Sequence, residues 1–220
     1  MKKVMVIGIA LLGGCDSNTS AINSDQQGSS STASQSVGGI KSETVAFVAQ
    51  KSGGLKTEFE SAEMLKKRLR KFSDEWNANG SAILVRPEPF FFLFDAETQE
   101  LTYNANGWIS PVPATQLGMS KSRSFVASGR DKRDGGILTQ RCEITFSISP
   151  EVAKSIKNSI GERPYLAVNG SINDDVLLDT DKEYFDALEG TYKPPIVLMT
   201  ATKFTLMNSD GQIVGTKACN

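Results

Sequence analysis

IVLMTATKFTLM-NSDG-QIVGT, residues 196–216, decides the fold class. Ile196 to Met207 is an apolar, β-branched run and Gln212 to Thr216 is a shorter one. Asn208-Ser209-Asp210-Gly211 between them is a hairpin turn signal, so the two runs pair antiparallel. Working outward, Pro164 to Ile172 reads as a further strand. Ser124 to Ser128 and Ile137 to Ser149 read as a strand pair around the loop Gly129-Arg130-Asp131-Lys132-Arg133-Asp134-Gly135-Gly136. In the second of these, Cys142, Ile144, Phe146 and Ile148 alternate with polar residues, which gives one buried face. Ala82 to Arg86, Phe90 to Phe94 and Leu101 to Asn104 continue the pattern, broken by Pro87-Glu88-Pro89 and by the turn Asp95 to Glu100. Glu43 to Ala49, with Val45, Phe47 and Val48, is read as a first strand. Phe90 to Phe94 is apolar on both faces, which predicts cover on both sides; the alternative is an exposed docking surface.

Helical periodicity interrupts these strands. Leu55, Phe59, Ala62, Leu65, Leu69, Phe72 and Trp76 recur at steps of three and four, a single apolar stripe. Thr57 with Glu60 has the form of a capping box, and Gly80 is the expected stop. Ser149 as N-cap and Pro150 at the first helical position predict a short helix ending at Gly161, with Val152, Ile156 and Ile160 inward. Thr180 with Glu183 predicts another, running to Gly190 with Tyr184, Phe185 and Leu188 inward. No internal repeat is visible. The fold expected is α+β, a mainly antiparallel sheet with one long amphipathic helix and two short helices.

The chain starts differently. Lys2 and Lys3 precede a short apolar run, Val4 to Leu12, and Leu12-Gly13-Gly14-Cys15 follows at once. That run falls far below the ~20 residues of a membrane span, so the layout is that of a secretory signal. It resembles the leader and lipobox of bacterial lipoproteins. The resemblance implies removal of residues 1–14, lipidation of Cys15 and a membrane anchor made of acyl chains. The alternative is an ordinary signal peptide cleaved near a chance cysteine. Asp16 resembles the signal that keeps enteric lipoproteins in the inner membrane, which leans the localisation that way. The address implied is the cell envelope, facing the periplasm. Residues 16–40 are rich in Ser, Thr, Asn, Gln and Gly, without an aromatic. Such a segment reads as a Ser-rich disordered tether of roughly 25–30 Å behind the lipidated Cys15. A single globular domain is expected over residues 41–220.

Composition excludes several classes of chemistry. The 24 Lys plus Arg balance 25 Asp plus Glu, and removal of Lys2 and Lys3 leaves 22 basic residues, so a nucleic-acid partner is not expected. There is no histidine, which removes Ser-His-Asp and Cys-His catalysis, His-ligated zinc and histidine pH switching. With Cys15 given to lipid, Cys142 and Cys219 remain as an even pair for an oxidising compartment. A bridge between them is favoured over two buried thiols, and closing so long a loop stabilises by roughly 4 kcal/mol on the chain-entropy view.

The remaining clusters each have a plain reading beside a sharper one. Lys66, Lys67, Arg68, Arg70 and Lys71 lie opposite the apolar stripe, either as a solvated face with Glu63 pairing to Lys67, or as a contact for anionic headgroups. Asp174, Asp175, Asp179, Asp181, Glu183, Asp186 and Glu189 have some of the spacing of a calcium loop but lack its glycine; a helix start explains them better. The loop 129–136 has no phosphate-binding spacing. No residue is assigned a catalytic role, and no metal or cofactor is expected. The reading leans away from an enzyme, toward a lipid-anchored envelope protein that binds another protein or an envelope polymer. Two alternatives stay open: a hydrolase of cell-wall or surface glycans using paired carboxylates, such as the acidic stretch with Glu88, and a small-ligand carrier.

Overall fold

A computed structural model describes residues 35–54, 57–105, 123–127, 135–159, 161–177, 184–186, 190–192 and 196–219. Its organising element is the strand that opened the sequence reading. Strand β12 (Ile196–Met207) carries strand β9 (Tyr165–Leu177) antiparallel along one edge. Its other edge is divided. The first half takes β7 (Gly136–Gln140) in parallel, and the second half takes β13 (Ile213–Ala218) through the expected Asn208–Gly211 turn. Both ends of β12 are continuously buried, as a strand covered on two faces must be.

The sheet extends outward on both sides. Beyond β7 lies β6 (Arg123–Ala127), antiparallel. Beyond β9 comes β3 (Ala82–Val85), then β2 (Ile40–Thr44) and β1 (Gln35–Val37). The first strand thus begins inside the segment read as tether. A three-stranded antiparallel sheet stands apart, β4 (Phe92–Asp95), β5 (Glu100–Tyr103) and β8 (Thr145–Ser147), together with a ribbon of β10 (Tyr184–Asp186) and β11 (Gly190–Tyr192). Helices and mostly antiparallel strands are therefore present, but the large sheet is mixed. Its pairs β2–β3 and β7–β12 are parallel. The first parallel pair needs a crossover, and helices α1 (Val45–Lys51) and α2 (Ala62–Asn79) lie between its two strands in sequence.

Glu43 to Ala49 is not one strand: Thr44 caps a helix, its Oγ1 accepting from the Phe47 N–H at 3.1 Å. Helix α2 starts at Ser61, whose side chain accepts from the Met64 N–H at 3.1 Å, so Thr57 is not its cap. The upper members of the apolar stripe consequently fall outside the packed helix. Phe59 is 87% exposed, whereas Leu69, Phe72 and Trp76 are buried; Leu55 lies outside the described residues. Gly80 ends α2 as expected, at φ 60°.

Phe90 to Phe94 is a 3-10 turn (Pro89–Phe91) followed by β4. Phe91 and Phe92 are buried while Phe90 and Leu93 are more than half exposed, so this run is not covered on both sides. Ile137 to Ser149 divides between the two sheets, as β7 and β8, yet Ile144, Phe146 and Ile148 do form one buried face. Helix α3 (Pro150–Lys157) begins at Ser149 with Ala153 and Ile156 inward; Ile160 lies outside the described residues. Tyr184–Asp186 is a strand where a helix was expected.

Helix α2 packs on β9, and one side chain fixes its height. The Asn77 amide donates to the Ile172 carbonyl at 3.2 Å and accepts the Ile172 N–H at 2.9 Å, meeting both backbone groups of a strand residue. Gly170 allows the neighbouring strand in, since a Cβ there would fall 2.1 Å from the Thr200 carbonyl oxygen.

Candidate functional site

Where the end of β2 meets the last two turns of α2, the chain leaves a cleft of about 100 Å³. Strand β2 contributes Lys41 and Glu43, the end of α1 contributes Lys51, and α2 contributes Phe72, Glu75 and Trp76. Asn79 and Ser81 close it beside the Gly80 stop.

Two of these side chains are buried polar groups without hydrogen bonds. Glu43 is 6% exposed and Trp76 is 4% exposed. Among the described residues, four buried side-chain polar atoms lack a partner, and Glu43 Oε2 and Trp76 Nε1 are two of them. Both residues line the cleft, but these two atoms are turned from its open space, and an unmet buried polar group costs about 1–3 kcal/mol. The other Glu43 oxygen, Oε1, lies 3.9 Å from the Lys51 Nζ, too long for a hydrogen bond. Lys51 also sits over the Phe47 ring, 5.5 Å from its centroid. At the rim, the Asn79 amide donates to the Glu75 carbonyl at 2.7 Å, and Glu75 meets Lys71 at 3.9 Å with both ends in solvent.

The residues singled out from sequence fare unevenly. Cys142 and Cys219 come together, sulfurs at bonding distance and Cα atoms 5.7 Å apart. Glu88 is held by Arg163, whose Nη1 stands 3.3 Å from Oε1. The basic cluster divides. Arg68 turns away from solvent into a two-pronged pair with Glu60, Nε to Oε1 at 2.9 Å and Nη2 to Oε2 at 2.8 Å, and its Nη1 donates to the Ser52 carbonyl. Glu60 accordingly raises the guanidinium pKa above its ordinary value. Lys66, Lys67 and Lys71 stay exposed. Cys15, Asp16, residues 129–134 and 178–183, Leu188 and Glu189 lie outside the described residues, as do the side chains of Asp174, Asp175 and Asp186.

Glu43 and Trp76 were missed as a pair. The available signal was a carboxylate in register with Val45 in an otherwise apolar segment, and an indole at the end of an apolar stripe. Either is ordinary alone, and nothing in the spacing brings residues 43 and 76 together. No protein-family profile, no curated protein and no solved structure matches this chain.

Proposed function

We propose that this chain is an exported lipoprotein of a bacterial envelope, anchored through Cys15 and held at the inner membrane in keeping with Asp16. Its folded body acts by binding an acidic envelope component, not by turnover. The observation that carries the binding role is the exposed start of α2. Phe59 is 87% exposed and Met64 is 58% exposed. Met64, Lys67 and Lys71 are three and then four residues apart, so they share one solvent-facing strip of the helix. Apolar side chains beside cations offer a partner both buried area and charge complementarity. The meeting of Cys142 with Cys219 supports an oxidising address.

Two measurements test the two halves. A fatty-acid probe fed to producing cells labels the wild type and not Cys15→Ser; an unlabelled wild type ends the anchoring claim. For binding, the unanchored Cys15→Ser protein is mixed with a washed envelope fraction and sedimented. It is expected in the pellet at low salt and in the supernatant once Lys67→Glu and Lys71→Glu are added. Equal retention of the two forms, or none of either, rejects the strip as the binding surface.

A further inference from the structure

The small sheet turns one face to solvent, and that face is opposite in charge to the α2 strip. The registers Leu93↔Thr102↔Thr145 and Asp95↔Glu100↔Ser147 put these six residues on one side of the sheet. On the other side Phe92, Leu101, Tyr103 and Phe146 are buried. Leu93 is 59% exposed, and Phe90, in the turn before β4, is 52% exposed. At the hairpin end Asp95, Glu97 and Glu100 all stand in solvent. The sequence from Pro87 to Asn104 holds no lysine or arginine, and neither does Thr145 to Ser147, so this face is acidic. Among the described residues five large apolar side chains are exposed. Four of them fall in these two patches, Phe59 and Met64 by the basic strip, Phe90 and Leu93 by the acidic sheet.

On the reading of that strip as the binding surface, we propose that its acidic partner is a second copy of this chain, with the strip of one copy seated on the small sheet of the other. The two patches carry matching features in the same order. Along α2 and the turn before it, Phe59 and Met64 precede Lys67 and Lys71; along β4 and its turns, Phe90 and Leu93 precede Asp95 and Glu97. The spacing agrees as well. With Met64 over Leu93, Lys67 and Lys71 stand about 4.5 Å and 10.5 Å further along the helix. Asp95 lies about 7 Å along the strand from Leu93, with Glu100 directly across from it, and the turn bearing Glu97 follows. A helix laid parallel to β4 therefore sets apolar groups on apolar groups and ammonium groups on carboxylates. A contact this small is weak between free molecules. Copies anchored in one membrane, as proposed above, are held at high local concentration, where a weak contact is populated.

Sedimentation equilibrium of the chain from residue 15 onward, carrying Cys15→Ser, tests this. It is expected to self-associate at roughly 0.1–1 mM protein in low salt and to be monomeric in about 0.5 M salt. Lys67→Glu with Lys71→Glu, and separately Glu97→Lys with Glu100→Lys, bring like charges together and should stay monomeric in both. An equal mixture of these two variants pairs an intact strip with an intact sheet and should associate again. Asp95 is left in place, because its Oδ1 accepts the Glu97 and Thr98 N–H groups and holds the turn. The four substituted positions are exposed, so both variants should melt with the wild type; where one does not, glutamine at the same positions replaces it. A wild type that is monomeric throughout, or a mixture that associates no more than its parts, overturns the self-contact. The envelope assay tells this failure from failure of the strip itself. Retention that needs Lys67 and Lys71 and occurs only on envelopes carrying the anchored chain supports the self-contact. Equal retention on envelopes with and without that chain keeps the strip as a binding surface and overturns this partner.

Discussion

Tyr103 shows how one polar atom joins two sheets. It closes β5 in the small sheet, and its hydroxyl oxygen accepts the backbone N–H of Ala127, at the end of β6 in the large sheet, at 2.9 Å. Its ring meets Phe91 and Phe92 edge-on, with centroids 5.8 Å and 5.3 Å away. Burial pushes the hydroxyl pKa well above its ordinary 10.0, and the Ala127 N–H opposes that only in part. The unfolded chain releases this proton near 10.0 while the folded one retains it. The native state therefore binds more protons above that pH, and stability falls as pH rises. Urea unfolding across that alkaline range should show the decline in the wild type and a flatter profile in Tyr103→Phe. The variant should also lose about 1–2 kcal/mol at neutral pH, because Ala127 keeps a buried donor with no acceptor. Identical alkaline profiles would remove Tyr103 from this role. None of this was legible from Leu101 to Asn104, which announces a strand but not the partner of its tyrosine hydroxyl.

At the scale of elements, local chemistry could be read and long-range chemistry could not. The Ser149-Pro150 start of α3, the Gly80 stop of α2 and the Asn208–Gly211 turn were all legible, since each depends on backbone groups a few residues away. The start of α2 was misread because Thr57 with Glu60 has the same form as a capping box. Glu60 instead answers Arg68, eight residues on, through both carboxylate oxygens. That fork, with its bond to the Ser52 carbonyl, draws the end of α1 and the segment before α2 onto the helix. Arg68 therefore belongs to the joint between two helices, not to the surface charge. Arg68→Lys keeps the charge but cannot reproduce the fork. It should cost about 1–2 kcal/mol in chemical denaturation, and Arg68→Ala somewhat more. Lys67→Ala, one residue away and exposed, should stay within about 0.5 kcal/mol. Equal effects at 67 and 68 would refute the joint. A similar test applies to Asn77: Asn77→Ala strands both backbone groups of Ile172 and should cost about 1–3 kcal/mol.

Across the whole molecule, the order of strands was the part hidden in the sequence. Apolar runs name strands, but whether β7 joins β12 in parallel depends on residues sixty apart, and no local pattern encodes it. The cysteines are the one long-range contact that counting could reach, given an exported chain. Cys142 lies in the passage from β7 to β8, between the two sheets, and Cys219 follows β13, with its N–H donating to the Thr202 carbonyl at 2.9 Å. Nearby, Gly215 of β13 leaves room for the Phe146 ring of β8, where a Cβ would lie 3.1 Å from it. The bridge thus reinforces a seam that packing has already brought together across 77 residues of sequence. Closing a loop of that length should stabilise by about 4 kcal/mol, which for a domain of this size is roughly 10–15 °C in melting temperature. Cys142→Ser, Cys219→Ser and the reduced wild type should therefore melt lower by similar amounts, with the unreduced wild type lighter than the reduced one by two hydrogen atoms. A reduced wild type that melts with the oxidised one would show that packing alone holds the seam. The same arithmetic ties folding to the proposed address: under that proposal, protein made without residues 1–14 stays in a reducing compartment and should carry three free thiols, Cys15, Cys142 and Cys219, and melt near the Cys→Ser variants until Cys142 and Cys219 are oxidised.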